Sequence, residues 1–176
     1  MIKFYDSFDR PNSSVIGKSD SGHNPTVVHG TWAIQSGKLV NTNLTSLGTI
    51  IWDVGKSDIV LSADITLAYY EALLFRYGGV NSYMVARVAV KTGYVDTFLY
   101  KYNGSYNTLA NCAVQGYNSS DTINLKVSAI GNSLALYING TKYLTATDNY
   151  NIDKTVIGTR ISNTAAGNAF DNLEVI

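Results

Sequence analysis

The sequence predicts an all-β protein built as a two-sheet antiparallel β-sandwich or jelly roll, and three observations support this prediction. The chain of 176 residues contains 17 Asn, 15 Gly and 13 Tyr, a composition typical of strands joined by many turns. Apolar and polar residues alternate with a period of two along several segments, as in strands that bury one face. Gly and Asn residues follow these segments where hairpin turns are expected.

The predicted strands are of two kinds. Four segments alternate over most of their length: Ile59–Leu67, Met84–Val90, Ile123–Ala129 and Leu134–Ile138. Eight shorter runs are also predicted as strands: Thr31–Gln35, Lys38–Asn41, Thr49–Asp53, Leu73–Tyr77, Tyr94–Tyr102, Thr141–Ala146, Thr155–Arg160 and Ala169–Val175. Asn139-Gly140 is the clearest turn, because both central residues of such a hairpin take a positive φ. No segment keeps a helical period over three turns, so we expect no helix and treat residues 1–176 as a single domain.

The charge balance and the single cysteine exclude several classes of protein. Thirteen basic and thirteen acidic residues give a net charge of zero, which argues against nucleic-acid binding. No apolar run approaches the roughly 18 residues that span a bilayer, so we expect no membrane insertion. Cys112 alone forms neither an internal disulfide nor a cysteine-based zinc site. Residues 1–6 lack an apolar signal-peptide core, and we expect no secretion signal on this chain.

Several short motifs follow one another in an order found in a known superfamily. Asp6–Arg10 is followed by Gly30–Ile34, Leu99–Gly104 and the closing segment Ala169–Val175. Together they resemble the concanavalin A-like jelly rolls, which include laminin-G domains and glucanases. The resemblance spans nearly the whole chain and implies that the last strand returns to pair beside the first. We expect Trp32, at the start of a strand, to anchor the core.

The carboxylates argue against catalysis. Glucanases of this fold carry Glu-x-Asp-x-x-Glu on one strand, so that the acidic groups flank the scissile bond. Glu71 and Glu174 stand alone here, and Asp64 and Glu71 are seven residues apart. His23 and His29 have no carboxylate or cysteine at ligand spacing. We therefore expect no catalytic residues, and a glycoside hydrolase is the least favoured interpretation.

Strand alternation places Tyr and Arg side chains on the sheet face opposite the core, which we expect to be concave. Tyrosine rings stack on pyranose C–H groups while phenols and guanidiniums bond sugar hydroxyls. The same residue types are enriched in protein interfaces, and the rings would also suit a second hydrophobic layer, so three interpretations stay open. The predicted ligand-binding residues are Arg76, Tyr83, Arg87, Tyr100 and Tyr102, with Val85 and Phe98 on the same face.

The resemblance also implies one structural metal site. Proteins of this superfamily often hold Ca²⁺ where the first and last strands meet, with a carboxylate from the last strand and backbone carbonyls near the start. Asp171 matches that carboxylate and Ser7 lies in the matching N-terminal segment. The alternative is that Asp171 accepts hydrogen bonds from backbone N–H groups. No other cofactor is expected.

The opening segment Asp6–Ser14 resembles modules of phage virion proteins. The resemblance implies a virion protein made in the host cytoplasm. Two hypotheses follow. The first is a non-enzymatic tail or adhesin module that recognises host-surface carbohydrate. The second is a decoration protein that binds other virion proteins on the capsid or tail. Whether the chain forms a homo-oligomer is left open.

Overall fold

The computed structural model describes residues 4–161 and 166–176 and contains two antiparallel sheets packed face to face. Those residues include no helix, and so no helical segment long enough to cross a membrane. The strands are β1 (Phe4–Asp6), β2 (Thr26–His29), β3 (Trp32–Gln35), β4 (Lys38–Asn41), β5 (Gly48–Asp53), β6 (Ile59–Thr66), β7 (Tyr70–Gly79), β8 (Ser82–Lys91), β9 (Tyr94–Tyr102), β10 (Tyr106–Gln115), β11 (Thr122–Ile130), β12 (Ser133–Ile138), β13 (Thr141–Thr147), β14 (Val156–Ile161) and β15 (Ala169–Val175). The all-β sandwich predicted from the sequence is confirmed.

The C-terminal strands lie in the interior of both sheets. The first sheet has the order β13-β12-β11-β6-β15-β4-β3, with β1 also paired to β15. The second sheet has the order β10-β9-β8-β7-β14-β5-β2. Phe4 on β1 lies opposite Val175 on β15, so the last strand does pair beside the first, as the resemblance implied.

The core lies between the sheets and is filled by the apolar residues of the alternating strands. On β6, for example, Ile59, Leu61 and Ile65 are buried. Trp32 is only 3% exposed, and its indole Nε1 donates a hydrogen bond to the His29 carbonyl at 3.0 Å. Its ring also contacts Phe170 on the closing strand, with 6.3 Å between ring centroids. The expectation that Trp32 anchors the core is confirmed.

Two strands besides the short β1 were not predicted, and the longer of them matters most. β10 has ten residues, but it is the edge strand of the second sheet and most of its side chains are at least partly exposed. Its register on β9 also shifts between Thr108 and Ala110. A strand at the edge of a sheet buries less of either face, and a register shift interrupts the period of two. Both effects weaken the alternation by which β10 could have been predicted. β2 is the opposite edge of the same sheet and has a similar shift between Val27 and His29.

We predict that Trp32→Ala lowers the free energy of unfolding by about 3–5 kcal/mol, because it removes a large buried ring and leaves a cavity. Tyr143→Ala is the matched control, since Tyr143 is 39% exposed on β13, and its loss is expected to stay within about 0.5 kcal/mol. Chemical denaturation followed by far-ultraviolet circular dichroism measures both. Equal losses for the two variants would contradict the assignment of Trp32 to the core.

Candidate functional site

Alternate side chains of the second sheet point away from the core and form a continuous surface, here called the outer face. On β8, Met84, Ala86 and Val88 enter the core, which places Tyr83 and Arg87 outside. The outward residues of β9 lie directly across: Tyr102 opposite Tyr83, Tyr100 opposite Val85 and Phe98 opposite Arg87. Four of the five predicted ligand-binding residues, Tyr83, Arg87, Tyr100 and Tyr102, therefore share this surface.

Arg76 does not lie on the outer face, and that part of the prediction was wrong. The residue has a φ of +49° and sits in a register shift between Phe75 and Gly79. Such a bulge reverses the alternation, so Tyr77 joins the outer cluster. The Arg76 guanidinium is buried and donates hydrogen bonds to the carbonyls of Gly131 and Asp148.

Aromatic rings form a layer across the outer face. Tyr83 stacks on Tyr102 with 4.9 Å between ring centroids, and Tyr102 contacts Tyr106 at 4.7 Å. Tyr83 is 1% and Tyr100 7% exposed, and burial raises the pKa of both phenols. These two rings pack with Leu74 in a second hydrophobic cluster, as expected if the rings form a second hydrophobic layer on the sheet. Tyr102 is half-buried and Tyr106 is 44% exposed, so they offer ring surface to solvent.

Arg87 is surrounded by aromatic rings. Its guanidinium carbon lies 4.7 Å from the ring centroid of Tyr70, 4.9 Å from that of Phe98 and 4.8 Å from that of Tyr100. One terminal nitrogen donates to the Tyr100 hydroxyl at 3.0 Å. Its Nε is buried and has no hydrogen-bond partner among the residues described. The rings hold the side chain in place through cation–π contacts and leave part of its donor capacity unused.

Arg160 brings a second guanidinium to the outer face. It lies on β14 opposite Ala72, which in turn lies opposite Arg87, so two strand spacings of about 10 Å in total separate the two arginines. Its terminal nitrogens donate to the Thr49 and Tyr106 hydroxyls, each at 3.3 Å. The two arginines predicted for this face were Arg76 and Arg87, and the structure puts Arg160 there in place of Arg76. Arg160 and Tyr106 were missed because β14 pairs with a strand far away in sequence and β10 was not recognised.

The carboxylates of the second sheet are far apart. Its seven strands carry three of them, Asp53 on β5, Glu71 on β7 and Asp96 on β9. Four strand spacings, about 19 Å, separate β5 from β9, whereas the two acids of a glycosidase lie about 5–10 Å apart. Glu71 lies two residues before the core residue Leu73 on β7, so its side chain is on the same side of the sheet and points into the core.

Glu71 is a buried acid that holds a turn. Its Oε1 accepts hydrogen bonds from the backbone N–H groups of Ala68 and Tyr69, both at 2.9 Å, while Oε2 is buried without a partner in the described part of the chain. Burial raises the pKa of Glu71 to about 7, and the two N–H donors oppose that shift only in part. The Glu71 carboxylate therefore fixes the turn that leads into β7, and it does not reach the outer face.

The structure brings the two predicted metal ligands, Ser7 and Asp171, to one cavity of about 560 Å³ where β1 and β15 meet. Asp9 lines the same cavity. The Ser7 hydroxyl donates a hydrogen bond to the Asp20 carboxylate at 2.6 Å. The Asp171 carboxylate accepts a hydrogen bond from the Asn172 backbone N–H at 2.8 Å, as the alternative interpretation expected. Burial raises the pKa of Asp171. Residues 4–161 and 166–176 contain no cluster of three or more His, Cys, Asp or Glu side chains at metal-binding distance.

Comparison with known proteins identifies the fold. No protein-family model and no curated protein sequence matches this chain. Among solved structures, the carbohydrate-binding module CBM66 from Bacillus subtilis superposes with a TM-score of 0.70 at 21% identity, covering 85% of this chain and 92% of that one. A Bacillus licheniformis β-glucanase gives 0.64 at 16% identity, covering 98% and 96%. The fold is a concanavalin A-like jelly roll. The jelly-roll fold that the sequence motifs implied is therefore confirmed.

A pH-dependent stability is expected from Glu71. Its pKa is higher in the folded chain than the ordinary value of 4.5, so its contribution to stability is complete below about pH 4.5 and is lost as the pH rises to about 7. The loss amounts to about 3 kcal/mol at most. Glu71→Gln keeps an acceptor oxygen for both N–H groups and removes the ionisation, so the variant should be more stable than the parent at pH 8 and gain no such advantage at pH 4.5. Thermal denaturation at both pH values measures this, with Glu174→Gln as control, and an equal gain at both would contradict it.

Proposed function

We propose that this jelly roll is a non-enzymatic module that binds carbohydrate on its outer face. One observation carries the proposal: the exposed ring of Tyr106 lies between Arg87 and Arg160, and the half-buried ring of Tyr102 packs beside it on the same sheet. A pyranose would stack its C–H face on the tyrosine rings while its hydroxyls accept hydrogen bonds from the guanidiniums. Side chains on strands hold such a site in place before the ligand arrives, which lowers the entropic cost of binding.

The structural likeness to a carbohydrate-binding module supports binding, and the likeness to a β-glucanase raises hydrolysis as an alternative. At the outer face, the carboxylates of the second sheet favour binding alone. Asp53 and Asp96 are too far apart to flank one glycosidic bond, and Glu71 points into the core. We therefore propose that the module recognises its sugar without cleaving it.

Single substitutions on the outer face should weaken glycan binding. We expect Arg87→Ala and Tyr106→Ala each to cost about 1–3 kcal/mol of binding free energy for the best ligand from a glycan array, measured by titration calorimetry. Tyr143→Ala, which removes a similarly exposed tyrosine from the first sheet, should leave affinity unchanged. Tyr100→Ala is a poorer probe, because that ring is buried and its loss would also cost stability.

Two outcomes would contradict the proposal. If the folded protein binds no glycan on the array, the proposed binding function is wrong. Release of reducing sugar from a bound polysaccharide, abolished by Asp96→Asn or Asp53→Asn, would show that the module is an enzyme.

The second candidate is a decoration protein that docks on other virion proteins. The aromatic layer and its two arginines would also suit such an interface. The virion setting and self-association remain predictions from the sequence. A protein that binds no glycan but loses its docking on a purified capsid or tail when Arg87 is truncated would favour this candidate.

We also propose that the cavity between β1 and β15 holds a structural Ca²⁺. Its lining fits the ion, because Asp9 and Asp171 bring carboxylates to one cavity and oxygen is the ligand atom that Ca²⁺ prefers. The Ser7 hydroxyl is already bonded to Asp20, so Ser7 would contribute its carbonyl and not its side chain. A bound ion would tie the first strand to the last.

Calcium should raise the melting temperature in a concentration-dependent way, since an ion that binds only the folded chain stabilises it by mass action. Asp171→Asn should abolish the rise. Asp153→Asn, which alters an exposed carboxylate in a distant loop, should keep it. Differential scanning fluorimetry with CaCl₂ against EDTA tests this, and the same melting temperature in both would exclude the site.

A further inference from the structure

The four arginines of the chain fall into two groups. Arg10 lies 2.7 Å from the Asp6 carboxylate. Burial lowers the pKa of Arg76, and the nearby carboxylates of Asp58 and Asp148 oppose that shift. Arg87 and Arg160, on the outer face, form no ion pair with any residue that the structure describes. Their hydrogen-bond partners are neutral hydroxyl groups.

The outer face also carries an excess of positive charge. Lys91 lies two residues beyond Ala89 on the same side of β8 as Arg87, and its ammonium is 5.9 Å from the Tyr70 ring. Asp96 is diagonal to Arg87 across β8 and β9, yet the two groups do not pair. The whole chain has a net charge of zero, so this excess is local. Positive charge that forms no ion pair with the nearby carboxylate favours an anionic partner.

The two arginines are also imperfectly satisfied. The Nε atoms of Arg87 and Arg160 are both buried without a hydrogen-bond partner among the described residues. A buried donor without an acceptor costs stability. Arg76 shares this feature, so the open Nε positions alone do not mark a ligand site, but on the outer face they leave donor capacity that a ligand can use.

We propose that the ligand is an acidic glycan, whose sugars carry a carboxylate or sulfate group that binds between Arg87 and Arg160. This inference rests on the proposed carbohydrate-binding function. Arg160, Ala72 and Arg87 occupy one row across three adjacent strands, and the small Ala72 side chain separates the two guanidiniums. Tyr106 bridges them from above, with its hydroxyl 3.3 Å from Arg160 and its ring centroid 6.0 Å from the Arg87 guanidinium carbon.

This arrangement assigns a role to each group. The exposed ring of Tyr106 stacks on the sugar, and the forked N–H donors of one or both guanidiniums bind the anionic oxygens. The rings around Arg87 exclude water from one side of the guanidinium, which strengthens its interaction with an anion. Lysine would not replace either arginine fully, because an ammonium lacks the planar fork.

The test compares polysaccharides that differ only in the charged group. Polygalacturonate is compared with its carboxyl-reduced form, and dextran sulfate with dextran, by affinity electrophoresis and calorimetry. We expect at least tenfold tighter binding to one acidic member than to its neutral counterpart, and an affinity that falls as salt is raised. The pair that shows the preference distinguishes a carboxylate from a sulfate.

Variants locate the effect on the outer face. Arg87→Gln and Arg160→Gln should each reduce the acidic-to-neutral preference at least threefold. Lys142→Gln removes the same charge from an exposed position on β13 of the first sheet and should leave the preference intact. Circular dichroism and melting temperature establish that each variant is folded. If an arginine variant does not fold, the conservative Arg87→Lys or Arg160→Lys variant tests the same position, and a lysine variant that keeps the full preference would contradict the role of the planar fork.

The possible outcomes separate this inference from the proposed function. Equal binding of acidic and neutral polysaccharides, weakened by Tyr106→Ala, would overturn the acidic ligand and leave carbohydrate binding in place. A preference lost equally in Lys142→Gln would mean that net charge alone attracts the polymer, which would also overturn it. Binding of neither kind would remove both proposals.

Discussion

The fold depends on the insertion of its last two strands into the interior of both sheets. β14 lies between β7 and β5, and β15 lies between β6 on one side and β4 and β1 on the other. Without them, the second sheet would separate into β10–β7 and β5–β2, and each fragment would expose unpaired backbone groups along a new edge. These pairings join residues that are distant in sequence, such as Phe4 and Val175 or Leu73 and Thr159, so they carry a large loop-closure cost that the shared core must offset.

The same insertion builds the candidate site. Arg160 reaches the outer face only because β14 pairs with β7, which in turn pairs with β8 and places Ala72 between Arg160 and Arg87. Tyr106 reaches the same place from the opposite direction, through β10 and β9. The surface therefore gathers side chains from five strands, β7–β10 and β14, and backbone hydrogen bonds between these strands fix its geometry.

Charged groups in this protein are held in two different ways. Asp6 is fully buried, receives two hydrogen bonds from Arg10 and one from the Phe8 N–H, and fixes the turn after the first strand. Lys101 pairs with Asp148 at 2.9 Å beside the loop that holds Arg76. Arg87 and Arg160, by contrast, are held by rings and hydroxyls and keep their charge uncompensated. Paired charges stabilise local structure, whereas the unpaired ones are available to a ligand.

The local pattern of the sequence determined the strands and the side of the sheet on which most residues lie. Strands such as β4, β9 and β15 were predicted with their observed bounds, and Tyr83, Arg87, Tyr100 and Tyr102 were placed on one face, because alternation is a property of neighbouring residues. Tertiary structure alone decided what the pattern does not encode. The bulge at Arg76 reversed the alternation, the edge strand β10 had no buried face to reveal it, and the pairing of β14 with β7 selected Arg160 as the neighbour of Arg87. Register and strand order depend on contacts between residues far apart in the chain, and no period within one segment records them.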